Sequence, residues 1–185
     1  MARPRGYRAD YENAFRDFLR LHEVLHLGVS ETHRQRYQGK SIKNFDFVVS
    51  SFAGKFLVDI KGKEFGRRKW DNWIRDDDLS GLKEWSTHFV GFTALLVVPY
   101  LVSRTFNDPK LVDEYAYHGN KYYFVALELQ KYYTNAIPRA KKFMSEHGKA
   151  IHIPAKKFHE LCRPLSDFIP ELRSPWMKEA NHLDS

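Results

Sequence analysis

Residues 92–98, Phe-Thr-Ala-Leu-Leu-Val-Val, form an almost unbroken apolar run without a single charge. Such a run fits a central strand covered on both faces, which restricts the chain to a layered architecture with a sheet inside. The flanking patterns supply the cover. Residues 10–27 place Tyr11, Ala14, Phe15, Phe18, Leu21 and Leu25 at helical spacing, with Asp10 as N-cap and Gly28 as the stop. Room for one short strand exists over 28–32. Two strands follow at 45–51 and 55–61, rich in β-branched and aromatic residues and joined across Ala53-Gly54 as a tight hairpin.

Beyond them, 63–78 reads as a charged, irregular excursion, and Asp78 or Ser80 caps a helix running to about residue 89. A second hairpin runs from 114 through His118-Gly119-Asn120 into 122–129. The remainder predicts a helix interrupted by Pro138, a short strand at 150–153 and a closing helix at 155–162. This order gives an α/β protein with a mixed central β-sheet flanked by helices. With 185 residues, no repeat and no linker, residues 1–185 are expected to form a single domain.

Cys162 is the only cysteine, which excludes an internal disulfide and points to a buried thiol in a reducing compartment. The start, MARPRGYRADY, has no apolar core of a signal peptide, and the longest apolar stretch, 89–102, is too short to span a bilayer and contains Pro99. A cytoplasmic protein without membrane contact is expected. Residues 1–75 hold 16 basic and 9 acidic side chains, and 76–185 hold 14 of each, so the whole net charge of +7 lies in the first part. A one-sided positive field favours a polyanion such as nucleic acid as partner.

Residues two apart in a strand share a face, so Asp59 and Lys61 point the same way, while Phe56, Val58 and Ile60 make the other face apolar. If Ala53-Gly54 is the two-residue turn, Val48 lies opposite Asp59 and Asp46 opposite Lys61, which gathers Asp46, Asp59 and Lys61 on one face. Two carboxylates so placed suit a hard cation, Mg²⁺ or Mn²⁺, with water and phosphate completing its shell. An adjacent lysine could orient the nucleophile or stabilise the transition state. The bland alternative is an exposed Asp–Lys pair.

Other signals compete. His22-Glu23-Val24-Leu25-His26 matches HExxH on a predicted helix, which on its face means zinc ligands with a glutamate base, a zinc hydrolase. Gly28 follows almost at once, however, and no third ligand stands out. Lys43, Lys63, Arg67, Arg68 and Lys69, with Trp70 and Trp73 just after the last four, suit phosphate contacts and base stacking, or else solvated charge beside core tryptophans. Asp76-Asp77-Asp78 reads as helix capping.

Phe45-Asp46, a spacer, and Asp59-Ile60-Lys61 resemble the signature of the PD-(D/E)XK nuclease superfamily, with phenylalanine in place of the motif's proline. The resemblance implies a restriction-endonuclease-like core of order αβββαβ with C-terminal additions. It also implies hydrolysis of phosphodiester bonds in DNA with Mg²⁺ or Mn²⁺ held by Asp46 and Asp59. In many members a glutamate of the first helix joins the metal site, and here that residue would be Glu12. Tyr11, Glu12, Ala14 and Phe15, together with Val58-Asp59-Ile60-Lys61-Gly62, are also similar to an uncharacterised bacterial group, the HYExAFE family. Asp10 and Arg16 depart from that pattern. Glu12 lies at the border of the apolar stripe, where a first-turn carboxylate is favoured by the helix dipole in any case. The resemblance leaves open a binding module of the same fold without turnover, and whether a homodimer is needed to cut both strands.

Overall fold

The computed structural model describes residues 10–29, 35–37, 40–66, 69–103, 108–138 and 149–173. The chain opens with helix α1 (Tyr11–Leu21), followed by strands β1 (Leu25–Gly28), β2 (Gln35–Tyr37), β3 (Lys40–Ile42), β4 (Phe47–Ser51), β5 (Gly54–Ile60), β6 (Lys63–Phe65) and β7 (Ile74–Arg75). Helix α2 (Asp76–His88) leads into the long strand β8 (Phe92–Val102), and the hairpin β9 (Glu114–Tyr117) and β10 (Asn120–Glu128) follows. Helix α3 (Leu129–Asn135), β11 (Ile137–Pro138), β12 (Ala150–His152), α4 (Ala155–Leu161) and β13 (Arg163–Pro164) complete it with two 3-10 turns, Leu165–Asp167 and Pro170–Arg173.

The main sheet runs β1-β4-β5-β8-β10-β13, with β6 also on β8 and β9 on β10. It is mixed, because β5 and β8 are parallel whereas β4–β5 and β8–β10 are antiparallel. One face packs Phe47, Val49, Phe56, Val58, Ile60, Leu95 and Val97 against Ala14, Phe15, Phe18 and Leu19 of α1. The opposite face packs Leu57, Leu96 and Val98 against Leu79 and Leu82 of α2, Tyr132 of α3 and Phe158 of α4. Both faces of β8 are therefore buried, as its apolar run requires. An 11-residue helix such as α1 is marginal alone. Fully burying each large apolar side chain contributes about 1.5–3 kcal/mol, so packing of Phe15, Phe18 and Leu19 holds it in place.

Helix α1 stops six residues earlier than residue 27. Glu23 adopts φ 55°, its N–H donates to Arg20 O at 3.1 Å, and the Val24 N–H donates to Leu19 O at 3.0 Å while Val24 is buried. This is a Schellman ending with glutamate at the position that usually takes glycine. Residues 25–28 are then free to form edge strand β1, antiparallel to β4. Over 63–78 the structure has β6 and β7 where irregular chain was expected, and α2 begins at Asp76 rather than at Asp78 or Ser80. Its N-cap, Arg75, makes no side-chain cap. The β9–β10 turn falls at His118-Gly119, both with positive φ, as the sequence indicates.

Pro99 lies inside β8, a central strand, where proline normally breaks a ladder. Val97 O faces β5, accepting from Lys61 N–H at 2.9 Å, so Pro99 two residues on turns its nitrogen to that same side. There β5 has ended, with Ile60 beside Val97, and β6 begins only with Lys63 beside Tyr100. Pro99 thus faces the break at Lys61-Gly62. Among the described residues no helix is long and apolar enough to cross a membrane.

Candidate active site

The site gathers around that break. The β4–β5 turn is Phe52-Ala53, with Ser51 opposite Gly54, so the register differs by two residues from the one expected for an Ala53-Gly54 turn. An even shift leaves each side chain on its expected face. Val48 faces Leu57 instead of Asp59; the paired register ends with Phe47 opposite Val58, and Asp46, one residue before it, lies close enough to Asp59 for the two charges to interact.

Asp46 sits just before β4, with its N–H on Val58 O at 2.9 Å and its carbonyl accepting from Val29 N–H at 2.8 Å. Its side chain turns back into the ladder, where Oδ2 accepts from Ile60 N–H at 2.5 Å. Oδ1 is buried and has no hydrogen-bond partner. Burial, then the charge of Asp59, push the Asp46 carboxyl up to about 8, against the opposing pull of Lys61.

Asp59 is 1% exposed, and its Oδ2 lies 2.6 Å from Lys61 Nζ. Burial pushes its carboxyl up in spite of that ammonium. For Lys61, burial alone would lower the ammonium pKa, but the charges of Asp59, Asp78 and Asp46 reverse the effect and hold it well above the ordinary lysine value. The lysine therefore stays charged although it is buried.

Asp78, which reads in the sequence as helix capping, belongs to this cluster. It projects from the first turn of α2, is 9% exposed, and reaches Lys43 Nζ at 3.0 Å through Oδ1 and Lys61 Nζ at 3.4 Å through Oδ2. Burial would raise its carboxyl, but the two lysines outweigh it and the value is lowered. The only local signal for Asp78 is its place in an acidic triplet, and that signal does not distinguish it from Asp76 or Asp77.

Glu12 lies on the exposed side of the first turn of α1, close enough for its charge to act on Asp46. That turn is seated at the site through Gly62. A Cβ there would lie 2.1 Å from the Tyr11 ring. Among the described residues no group of three His, Cys, Asp or Glu side chains is already gathered as a metal cluster.

The remaining candidates disperse. Lys43 is bound to Asp78, and the Lys63 ammonium lies 3.7 Å from the centre of the Trp73 ring. Lys69 is exposed, Trp70 is a core residue packed on Phe65 and Tyr100, and Arg67 and Arg68 lie outside the described residues. The HExxH reading fails on geometry. His22 caps α1, Glu23 has left-handed backbone, and His26 lies in β1 with Nδ1 2.8 Å from Val24 O, so the two histidines never share a helix face. The zinc hydrolase is set aside.

No protein-family model matches the sequence, and no curated protein does. The likeness to the HYExAFE group therefore remains one of short motifs. The fold has a solved counterpart in the structure of Archaeoglobus fulgidus Hjc, a Holliday junction resolvase from an archaeal hyperthermophile. The two share a TM-score of 0.50 and 10% identity over 85% of this chain and 95% of that one. Such identity establishes shared architecture only. The order α1, β1, β4, β5, α2, β8 is the expected αβββαβ core, and the chain has a restriction-endonuclease-like fold.

Proposed function

We propose that this chain is a metal-dependent nuclease that hydrolyses phosphodiester bonds in DNA. The observation that carries the reading is the pair Asp46 and Asp59, two buried carboxyls, one just before β4 and one on the adjacent β5, of which the first leaves an oxygen unpartnered. Burying carboxylates side by side costs stability, and a core built only for packing would not contain them. Strongly perturbed acids beside a charged lysine are the usual mark of a reactive site.

The donor set fits Mg²⁺ or Mn²⁺. Asp46, with its free Oδ1, and Asp59 would hold the ion, and Glu12 would join from α1. When bound, such an ion supplies Lewis acidity toward phosphate and lowers the pKa of water. Lys61 presents a permanent positive charge beside Asp59, suited to the charge that builds on a phosphate during displacement. Lys43, Lys63 and Lys69, with Arg67 and Arg68, would contact the DNA backbone. The resemblance of the fold to that of a resolvase supports DNA as the substrate.

One observation favours a second reading, a binding module without turnover: Glu12, the carboxylate that would join the pair from α1, is exposed. Nicking of supercoiled plasmid by wild type and Asp59→Ala, each with Mg²⁺, Mn²⁺ or chelator, separates the two. Cleavage that requires metal and disappears in Asp59→Ala is expected. Salt-dependent binding by both proteins without any cleavage would establish the module instead, and equal cleavage by both would place the chemistry elsewhere.

A further inference from the structure

We propose that Asp78 is a positioning residue for Lys61, gripping the ammonium from a second element so that its charge keeps its place in the site. The inference rests on the nuclease reading and extends it to a residue that no motif assigns. Each oxygen of Asp78 holds a different lysine, Oδ1 at 3.0 Å from Lys43 and Oδ2 at 3.4 Å from Lys61. Helix formation does not account for this. Asp76 and Asp77 share the same first turn and the same dipole benefit while exposed, and Asp77 pairs with Arg75. Of the three, Asp78 alone is buried, and its oxygens face the two lysines.

The docking of α2 is built for the purpose. Trp85 Nε1–H donates to Lys43 O at 2.9 Å, and at Gly81 a Cβ would stand 3.0 Å from that same carbonyl, so glycine admits the close approach. Helix α2 is thereby anchored on the segment three residues before Asp46. The need for a second anchor follows from charge. Lys61 has a long flexible stem, and its nearer partner, Asp59, is also a candidate cation ligand. Once Asp59 is engaged elsewhere, an ammonium held by it alone would be released. Asp78 retains it.

The test uses the full chain carrying Asp78→Asn, with Asp77→Asn from the same turn as control. Three quantities are read: the single-turnover rate of plasmid nicking with Mn²⁺, the affinity for duplex DNA in chelator, and the proton–nitrogen resonance of the Lys61 ammonium, assigned through its loss in Lys61→Met. Asp78→Asn is expected to nick about 10- to 100-fold more slowly, as when a supporting partner is removed from a reactive group. Its DNA affinity should stay within about twofold, the pattern of a lost transition-state interaction. The ammonium signal should broaden through faster hydrogen exchange, and Asp77→Asn should match wild type throughout.

Wild-type nicking by Asp78→Asn, an unchanged resonance, or an equal loss in Asp77→Asn would overturn the assignment. If the wild-type protein nicks no DNA, the nuclease reading falls and the resonance alone decides the role of Asp78. Should Asp78→Asn not fold, Asp78→Ser repeats the comparison, since it also removes the charge.

Discussion

Asp46 Oδ2 accepts the Ile60 N–H in place of a backbone carbonyl, while burial and the neighbouring Asp59 push the carboxyl up to about 8. An unfolded chain returns Asp46 to an ordinary value near 3.8, so the folded state binds this proton more tightly. The sign follows: the stability it confers is present below about 3.8, declines as pH rises toward about 8, and is constant beyond. Asp46→Asn retains an acceptor for Ile60 but has nothing to ionise. In chelator it is expected to melt higher than wild type at alkaline pH, by about 2–4 °C for each kcal/mol recovered, and the gap should close toward acid. Melting curves that run parallel across this window would mean that Asp46 is solvated. Cys162 shows the opposite use of burial, an inert thiol pushed up to about 12 that takes no part in the site.

Gly62 sits between β5 and β6 with the Tyr11 ring where a side chain would be. Strand end and helix start are therefore locked together by a missing Cβ, and the lock sets both Lys61 and Glu12. Gly62→Ala is expected to lose about 1–3 kcal/mol in chemical denaturation, the usual cost of overpacking. It should slow nicking more than it weakens DNA binding, because it displaces the first turn of α1 and not the lysines of the outer surface. Unchanged stability would show that Tyr11 swings aside. The Schellman ending of α1 has a similar reach. By turning the chain at Glu23 it dismantles the HExxH helix and frees 25–28 to extend the sheet.

Across the whole molecule, the excess charge of residues 1–75 and the exposed or half-exposed Lys63 and Lys69 suit contact with a polyanion. Lys63→Ala and Lys69→Ala are each expected to weaken duplex binding evenly across sequences and to reduce the slope of log affinity against log salt by about 1, as read by fluorescence anisotropy. A slope unchanged in both would remove them from the interface. Much of the architecture was legible without coordinates, because strand alternation and helical spacing are local. They set Phe56, Val58 and Ile60 against one layer and Asp59 and Lys61 toward the other, and an even register error left those faces intact. The alternation of β5, the apolar run of β8 and the acid–lysine motif are properties of neighbouring residues, and the sequence by itself determined them. Tertiary structure decided what depends on distant segments meeting. It turned the chain out of α1 at Glu23, buried one aspartate of the triplet by docking α2 on Lys43, and left Glu12 exposed on the first turn of α1. Burial and charge pairing belong to the packed molecule, and no spacing within a segment encodes them.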